Sequence, residues 1–343
     1  MLKYILFTLL ILSNMQLSSQ KLYVGTYTNT SSKGIYSLDF NPETGVLSNE
    51  ELLVSSNNPS FISFGQDRSI LYAVNEEEQG TISVFKRTSE TGGYDLVQKL
   101  STYGAHPCHV TYDQGYVAVS NYSGGNVAIY RVEESGILNQ NPQVFDQNGE
   151  NEKSHVHFAM FVEDQLIVSD LGRNTLFKYK KSEKGFELEN NHWVAYEAKS
   201  GPRHFDFRDH QIYSITEYEN TISLIDKSGD VLQKVSTLNK DFQGESYCAD
   251  IHISPDGTYV YGSNRGDNSI GLFTRQPDGY LKFKDTFDVR GDWPRNFVID
   301  PTGKWLLVGN QRSNNITVFA ISTDGSLSFK HSYELGAPVC LIF

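Results

Sequence analysis

The residues with the most chemistry to offer fall in a few short phrases. His155 and His157 form a His-x-His pair, Arg203 and His204 follow Gly201-Pro202, and Glu217 sits in a Thr-Glu-Tyr turn. Arg265 follows Ser263-Asn264, Arg295 follows Trp293-Pro294, and His106 and His109 flank Pro107-Cys108. Histidine exchanges protons near neutral pH, a carboxylate can act as a base or orient one, and guanidinium groups hold anions in a fixed fork geometry. Each also has a plainer use. His109, His204 and His252 suit hydrogen bonds between packed sheets, and Arg203 and Arg265 suit ordinary ion pairs. Glu76, with Glu77 and Glu78 beside it, reads as a solvated acidic turn, and Arg173 and Arg312 read as solvated turn residues. His-x-His can supply two metal ligands, but no other spacing completes a site, so neither metal nor cofactor is expected. Serine-nucleophile, phosphate-loop and dinucleotide signatures are absent.

These phrases are copies of one another. The fullest is Gly201-Pro202-Arg203-His204-Phe205, and variants start at Pro59, Pro107, His155, Asp250, Pro294 and Pro338. A repeat of roughly 45 residues made of short strand-like runs and turn residues is the mark of a propeller or solenoid. Aligned on those starts, His109, His157, His204 and His252 occupy one slot. After each lead phrase comes a strand–turn–strand unit, as in residues 116–121, the turn 122–126 and residues 127–130. The β-branched and aromatic runs bounded by Asn, Gly and Asp are hairpin chemistry, and no helical period is sustained.

Four antiparallel strands per repeat make a propeller blade. The last lead phrase, residues 337–343, has no second strand after it, and residues 22–27 have no lead strand before them. The expectation is an all-β, seven-bladed propeller, closed by N- and C-terminal strands in one blade. If each lead strand runs away from one face, the second strand returns to it. The starts of the lead phrases and the residues after the second strands (Glu76, Tyr122, Leu171, Glu217, Arg265 and Gln311) then share the mouth of the central channel.

A formal charge of −12 with no cluster of Lys or Arg argues against nucleic-acid binding. An anionic ligand would need a local basic pocket. Lys3 followed by the apolar residues 4–12 and a polar stretch has the layout of a secretory signal peptide over residues 1–19, too short to span a bilayer. The expected organisation is that segment followed by one propeller over residues 20–343, in a secreted or periplasmic protein. Three cysteines, Cys108, Cys248 and Cys340, show no metal spacing and do not suggest a disulfide scaffold.

Together GPRHF, HVHF, ADIHISPDG, YGSNRGDNSI, WPRNFVIDPTGKWLLVGNQ and VGTYT with GIYSLDF resemble the lactonase family of seven-bladed propellers over residues 21–343. That family is typified by the propeller type of 6-phosphogluconolactonase and is related to carboxy-muconate cyclase. The resemblance implies metal-free hydrolysis of a small sugar lactone, with His157 (or His155), Arg203, Glu217 and Arg265 as catalytic residues. Thr216-Glu217 stands where the family usually has Asn-Glu, which leaves the carboxylate in place. His155, His204, Arg295 and His109 are expected to contact substrate. His157 is the first candidate for the base and Glu217 the second. Two other readings remain open at this point: a secreted propeller that binds a glycan or protein without catalysis, and a cycloisomerase using the same four groups.

Overall fold

In the computed structural model, residues 19–89 and 92–343 are described. Of the expected signal segment only Ser19 lies within them. The described residues form 28 strands in seven four-stranded antiparallel sheets, with no helix. Six blades are contiguous in sequence, and the strand nearest the axis comes first in each. The seventh blade joins Pro338–Ile342, innermost, to Gln20–Thr26, Gly34–Phe40 and Leu47–Ser55. The ring is therefore closed by backbone hydrogen bonds between the two ends of the chain, with Tyr23 opposite Ile342. Blades are numbered here from this one.

Both faces of every blade must be apolar, because each packs against a neighbour. The middle strands accordingly read as continuous buried runs, such as Ile70–Asn75 and Trp305–Asn310. Seven hydrophobic clusters result, one in each gap between blades. Polar ties cross the same gaps. The hydroxyls of Tyr72, Tyr213 and Tyr261 donate to Gly136, Gly279 and Gly325 O, in outer turns of the following blade, at 2.7, 2.9 and 2.9 Å. Trp305 Nε1 makes the equivalent bond to Pro42 O at 2.8 Å across the closing gap.

The inner strands depart from regular pairing at one place, and this corrects the alignment of the repeats. In five blades the register slips by one residue beside the Pro position, leaving an extra residue on the inner strand: Cys108, His157, Arg203, Arg295 and Val339. Such a bulge re-aims the side chain it carries. The position that pairs as Pro202 does is Val156 in blade four and Cys248 in blade six, not His155 and Asp250. The four histidines thus do not share a slot. His157 takes the bulge position of Arg203, His109 and His204 take the next, and His252 lies opposite Tyr261, as Asp206 lies opposite Tyr213. A chemical period cannot reveal a bulge, because the extra residue changes the count without changing the residue types.

Because Tyr261 is fully buried, Tyr261→Phe leaves the Gly325 carbonyl without its donor. We expect a loss of about 1–2 kcal/mol, read from urea unfolding as a lower midpoint at unchanged slope.

Candidate active site

Two rings of side chains meet at one end of the channel, and the backbone explains both. The floor is the bulge position: Cys108, His157, Arg203 and Arg295 line one small cavity with Ser60, Phe61, His204, Asn296 and Val339. The rim is the residue after each second strand. The N–H groups of Glu76, Tyr122, Leu171, Glu217 and Gln311 donate to the carbonyls of Asn58, His106, His155, Gly201 and Trp293, the residues just ahead of the inner strands. Asn58, His106, Gly201 and Trp293 hold left-handed backbone, φ 41, 51, 66 and 68°, which aims those carbonyls at the rim. Non-glycine residues in that conformation carry strain of order 1 kcal/mol and cluster at functional sites. Tyr27 N bonds Ala337 O in the same way, so Tyr27 is the rim residue of blade one. The rim rule applied to the Val-Gly-Thr-Tyr phrase would have identified it from sequence.

The structure brings His157, Arg203, Glu217 and Arg265 together. Glu217 Oε2 lies 2.6 Å from an Arg265 terminal nitrogen and 3.0 Å from Arg203 Nε, the latter a charge contact without hydrogen-bond alignment. Arg203 also donates to Ala249 O, and Arg265 donates to Tyr247 and Cys248 O at 3.1 and 3.0 Å. Burial, then the Arg265 and Arg295 charges, pushes the Arg203 pKa down to about 10, so it remains a cation at neutral pH. Arg295 is different. Its guanidinium lies 5.3 Å from the centre of the Tyr27 ring and has no ion-pair partner among the described residues.

His157 is 5% exposed, and its Nδ1 has no hydrogen-bond partner. Burial and then the Arg203 charge hold its pKa well below the usual histidine range, so the ring is neutral at physiological pH. His155 sits higher, stacked on Tyr122 with centroids 4.5 Å apart and Nδ1 3.0 Å from Tyr122 O. The pair therefore does not converge on one point as two metal ligands would, and among the described residues no three acidic, His or Cys side chains cluster to hold a metal.

Beneath the floor runs a closed belt of seven side chains, one per blade. The rings of Phe61, His109, Phe158 and His204 pack in series, tilted to one another, at centroid distances of 4.3, 4.2 and 4.7 Å. His204 Nδ1 then contacts Asp250 Oδ1 at 2.8 Å, and Asn296 Nδ2 donates to Asp250 Oδ2 at 2.6 Å. Asn296 Oδ1 accepts from Leu341 N, and Cys340 Sγ returns to Ile62 O. Asp250 also accepts from Ile251 N, Phe297 N and His252 Nε2. Burial opposes its ionisation, but His252 and His204 outweigh that and hold it well below the usual carboxylate range. Burial and the Arg203 charge lower the His204 pKa to about 4, so this neutral ring donates Nδ1–H to the carboxylate. His109 thus packs between blades and is not among the residues that line the cavity. His204 serves both roles, bonding across the gap and lining the cavity.

Other expectations change as well. Glu76 is not a solvated turn residue: it is half-buried and accepts from Tyr27 Oη at 2.8 Å. Arg173 pairs with Glu152 at 2.8 Å and bonds Gln147 O, and Arg312 lies 3.3 Å over the Trp293 ring. Asp250 stood in the sequence only as the start of a lead phrase, and nothing marked it or Asn296 as bonded to each other, because their partners come from neighbouring blades. The three cysteines are buried free thiols in three different blades.

Comparison with known proteins agrees with this architecture. Residues 21–343 match the sequence profile described as Lactonase, 7-bladed beta-propeller. The chain belongs to this lactonase family. A Bacillus subtilis protein named 6-phosphogluconolactonase is 31% identical over 296 residues, covering 81% of this chain and 84% of its own. A Formosa agariphila protein of the same name is 32% identical over 308 residues, covering 81% and 86%. The structure of the Pseudomonas aeruginosa periplasmic gluconolactonase superposes with a TM-score of 0.88 at 28% identity, covering 94% of this chain and 98% of that one.

The three buried neutral histidines predict the acid limb of stability. His109, His157 and His204 have folded pKa values below the unfolded value of 6.5. Below pH 6.5 the unfolded chain therefore binds protons that the native state refuses, and stability falls as pH falls. Each contributes a slope of up to about 1.4 kcal/mol per pH unit until its folded pKa is reached, about 4 for His204. His252 is shifted the other way: burial is overcome by Asp250, so its contribution is present below pH 6.5 and lost as pH rises through its raised pKa. In His109→Phe, which packs between Phe61 and Phe158, the slope between pH 5 and 6 should drop by about one proton, measured by urea unfolding across that range.

Proposed function

We propose that this protein hydrolyses the lactone of a small sugar acid at the mouth of the channel, with His157 accepting the proton of the attacking water. One observation carries the assignment. His157 Nδ1 is a buried ring nitrogen without a hydrogen-bond partner on the floor of a cavity that also holds Arg203 and Arg295. Buried polar atoms without partners are rare in native proteins and mark places where a ligand completes the bonding.

In this reading the lactone carbonyl lies against Arg203 and Arg295, which stabilise the oxyanion as it forms. Water adds to the carbonyl carbon and gives its proton to His157. The bond from that carbon to the ring oxygen then breaks, and the proton passes to that oxygen, leaving the open-chain acid. Glu217 is the weaker base candidate, because Oε2 is shared by two guanidiniums. Its role is to fix Arg203 and Arg265 in the fork that faces substrate. A buried imidazole among cations is a weak base, and negative charge developing on the lactone oxygen restores basicity during the reaction.

We further propose that the protein works outside the cytoplasm. Support comes from the charged and apolar layout of residues 1–19 and from the periplasmic description of the P. aeruginosa relative.

The enzyme should hydrolyse gluconolactone above the spontaneous rate. His157→Gln is expected to lower kcat by about 10²–10⁴-fold. Activity of the native enzyme should show no midpoint at the ordinary histidine pH of 6.5, because burial and the Arg203 charge keep His157 neutral as pH falls through that value. An undiminished kcat in His157→Gln would remove it from the base role.

A further inference from the structure

The lactonase site has a second carboxylate that the reaction above does not use. Glu76 holds the same rim position in blade two as Glu217 holds in blade five, with its N–H on Asn58 O as Glu217 has its own on Gly201 O. Three steps around a seven-membered ring put the two carboxylates nearly opposite one another across the mouth. Their partners differ. Glu217 is paired with two guanidiniums, at 2.6 and 3.0 Å. Glu76 is held by a phenol, Tyr27 Oη at 2.8 Å, and that phenol lies against the guanidinium of Arg295. Burial keeps Tyr27 protonated, so it donates to Glu76 and cannot act as an acid toward a substrate.

We infer that Glu76, fixed by Tyr27, is the specificity residue that makes this pocket select an uncharged sugar lactone over its phosphate ester. This rests on the lactonase reading and names its substrate class. Arg203 and Arg265 share the charge of Glu217, which leaves Arg295 as the guanidinium of the floor and rim with no carboxylate partner among the described residues. A phosphate dianion is bound by forks of guanidinium donors or by several cations. Here it would find one unneutralised guanidinium, Arg295 in blade seven, with the carboxylates of Glu76 in blade two and Glu217 in blade five each two blades away. No lysine contributes to the floor or rim. The whole chain, at −12, adds repulsion at longer range. A neutral lactone loses nothing to that field, and its hydroxyls can donate to Glu76, whose carboxylate accepts only. Glu76 is therefore both an acceptor for the preferred substrate and a charge set against the other.

The test compares kcat/KM on glucono-1,5-lactone and on its 6-phosphate, above spontaneous hydrolysis, for the native enzyme, Glu76→Gln and Tyr27→Phe. The native enzyme should prefer the uncharged lactone at least tenfold. In Glu76→Gln the ratio should move toward the phosphate ester by tenfold or more, through KM rather than kcat, and the shift should shrink in high salt. Tyr27→Phe, which keeps the carboxylate, should retain the native direction of preference. Titration of inorganic phosphate by calorimetry gives a readout without turnover: Glu76→Gln should bind it at least tenfold more tightly than the native protein. A native preference for the phosphate ester, an unchanged ratio in Glu76→Gln, or equal loss on both substrates would each overturn the inference. If the native enzyme hydrolyses neither lactone, the lactonase reading fails, and equal phosphate affinity in native and Glu76→Gln proteins would separately reject the role of Glu76.

Discussion

The constraint on which everything else rests is closure of the ring. Seven twisted sheets, each apolar on both faces, leave no exposed apolar face only if the last packs on the first. This chain secures that by building blade one from both of its ends. Strand pairing between Pro338–Ile342 and Gln20–Thr26 converts an open row of blades into a loop. The belt of Phe61, His109, Phe158, His204, Asp250, Asn296 and Cys340 repeats the closure at the axis, with ring packing on one side and hydrogen bonds on the other. Seven separate hydrophobic clusters, rather than one core, are the consequence of radial packing.

On this frame the site costs little additional structure. Residues in left-handed backbone aim carbonyls at the rim, and a one-residue bulge turns the next side chain into the channel mouth. The device recurs in blade after blade, so chemistry is set by which side chain each blade places there. Val339, Ser60 and Cys108 carry small groups, while His157, Arg203 and Arg295 carry functional ones. The strain of the turn is offset by sheet pairing on both sides, and it supplies rigidity where substrate positioning demands it.

Electrostatics then separates groups that look equivalent in sequence. His109, His157 and His204 are all kept neutral by burial, while His252, at the more open side of the Asp250 carboxylate, is shifted toward its charged form. Glu217 and Glu76 occupy equivalent rim positions, yet one serves two cations and the other a phenol. A single buried carboxylate, Asp250, satisfies donors from three blades and links the belt to the wall of the cavity.

The sequence alone determined the number of blades, the way the ring closes, and the face on which Arg203, Glu217, Arg265 and His157 gather. These follow from local patterning and strand direction, which repeat with the chain and need no long-range geometry. The resemblance of its phrases to the lactonase family added the reaction class. What only the tertiary structure decided is which atoms of that face are free. The bulges shifted His157 into the floor and left His109 beneath it, a one-residue difference that side-chain type does not encode. The partners of Glu76 and Asp250 come from neighbouring blades 46 to 49 residues away in sequence, and Arg295 meets Tyr27 across the closing gap between the two ends of the chain. Contacts of that kind exist only after blades pack side by side, because they depend on the spacing between sheets rather than on any neighbour in the chain.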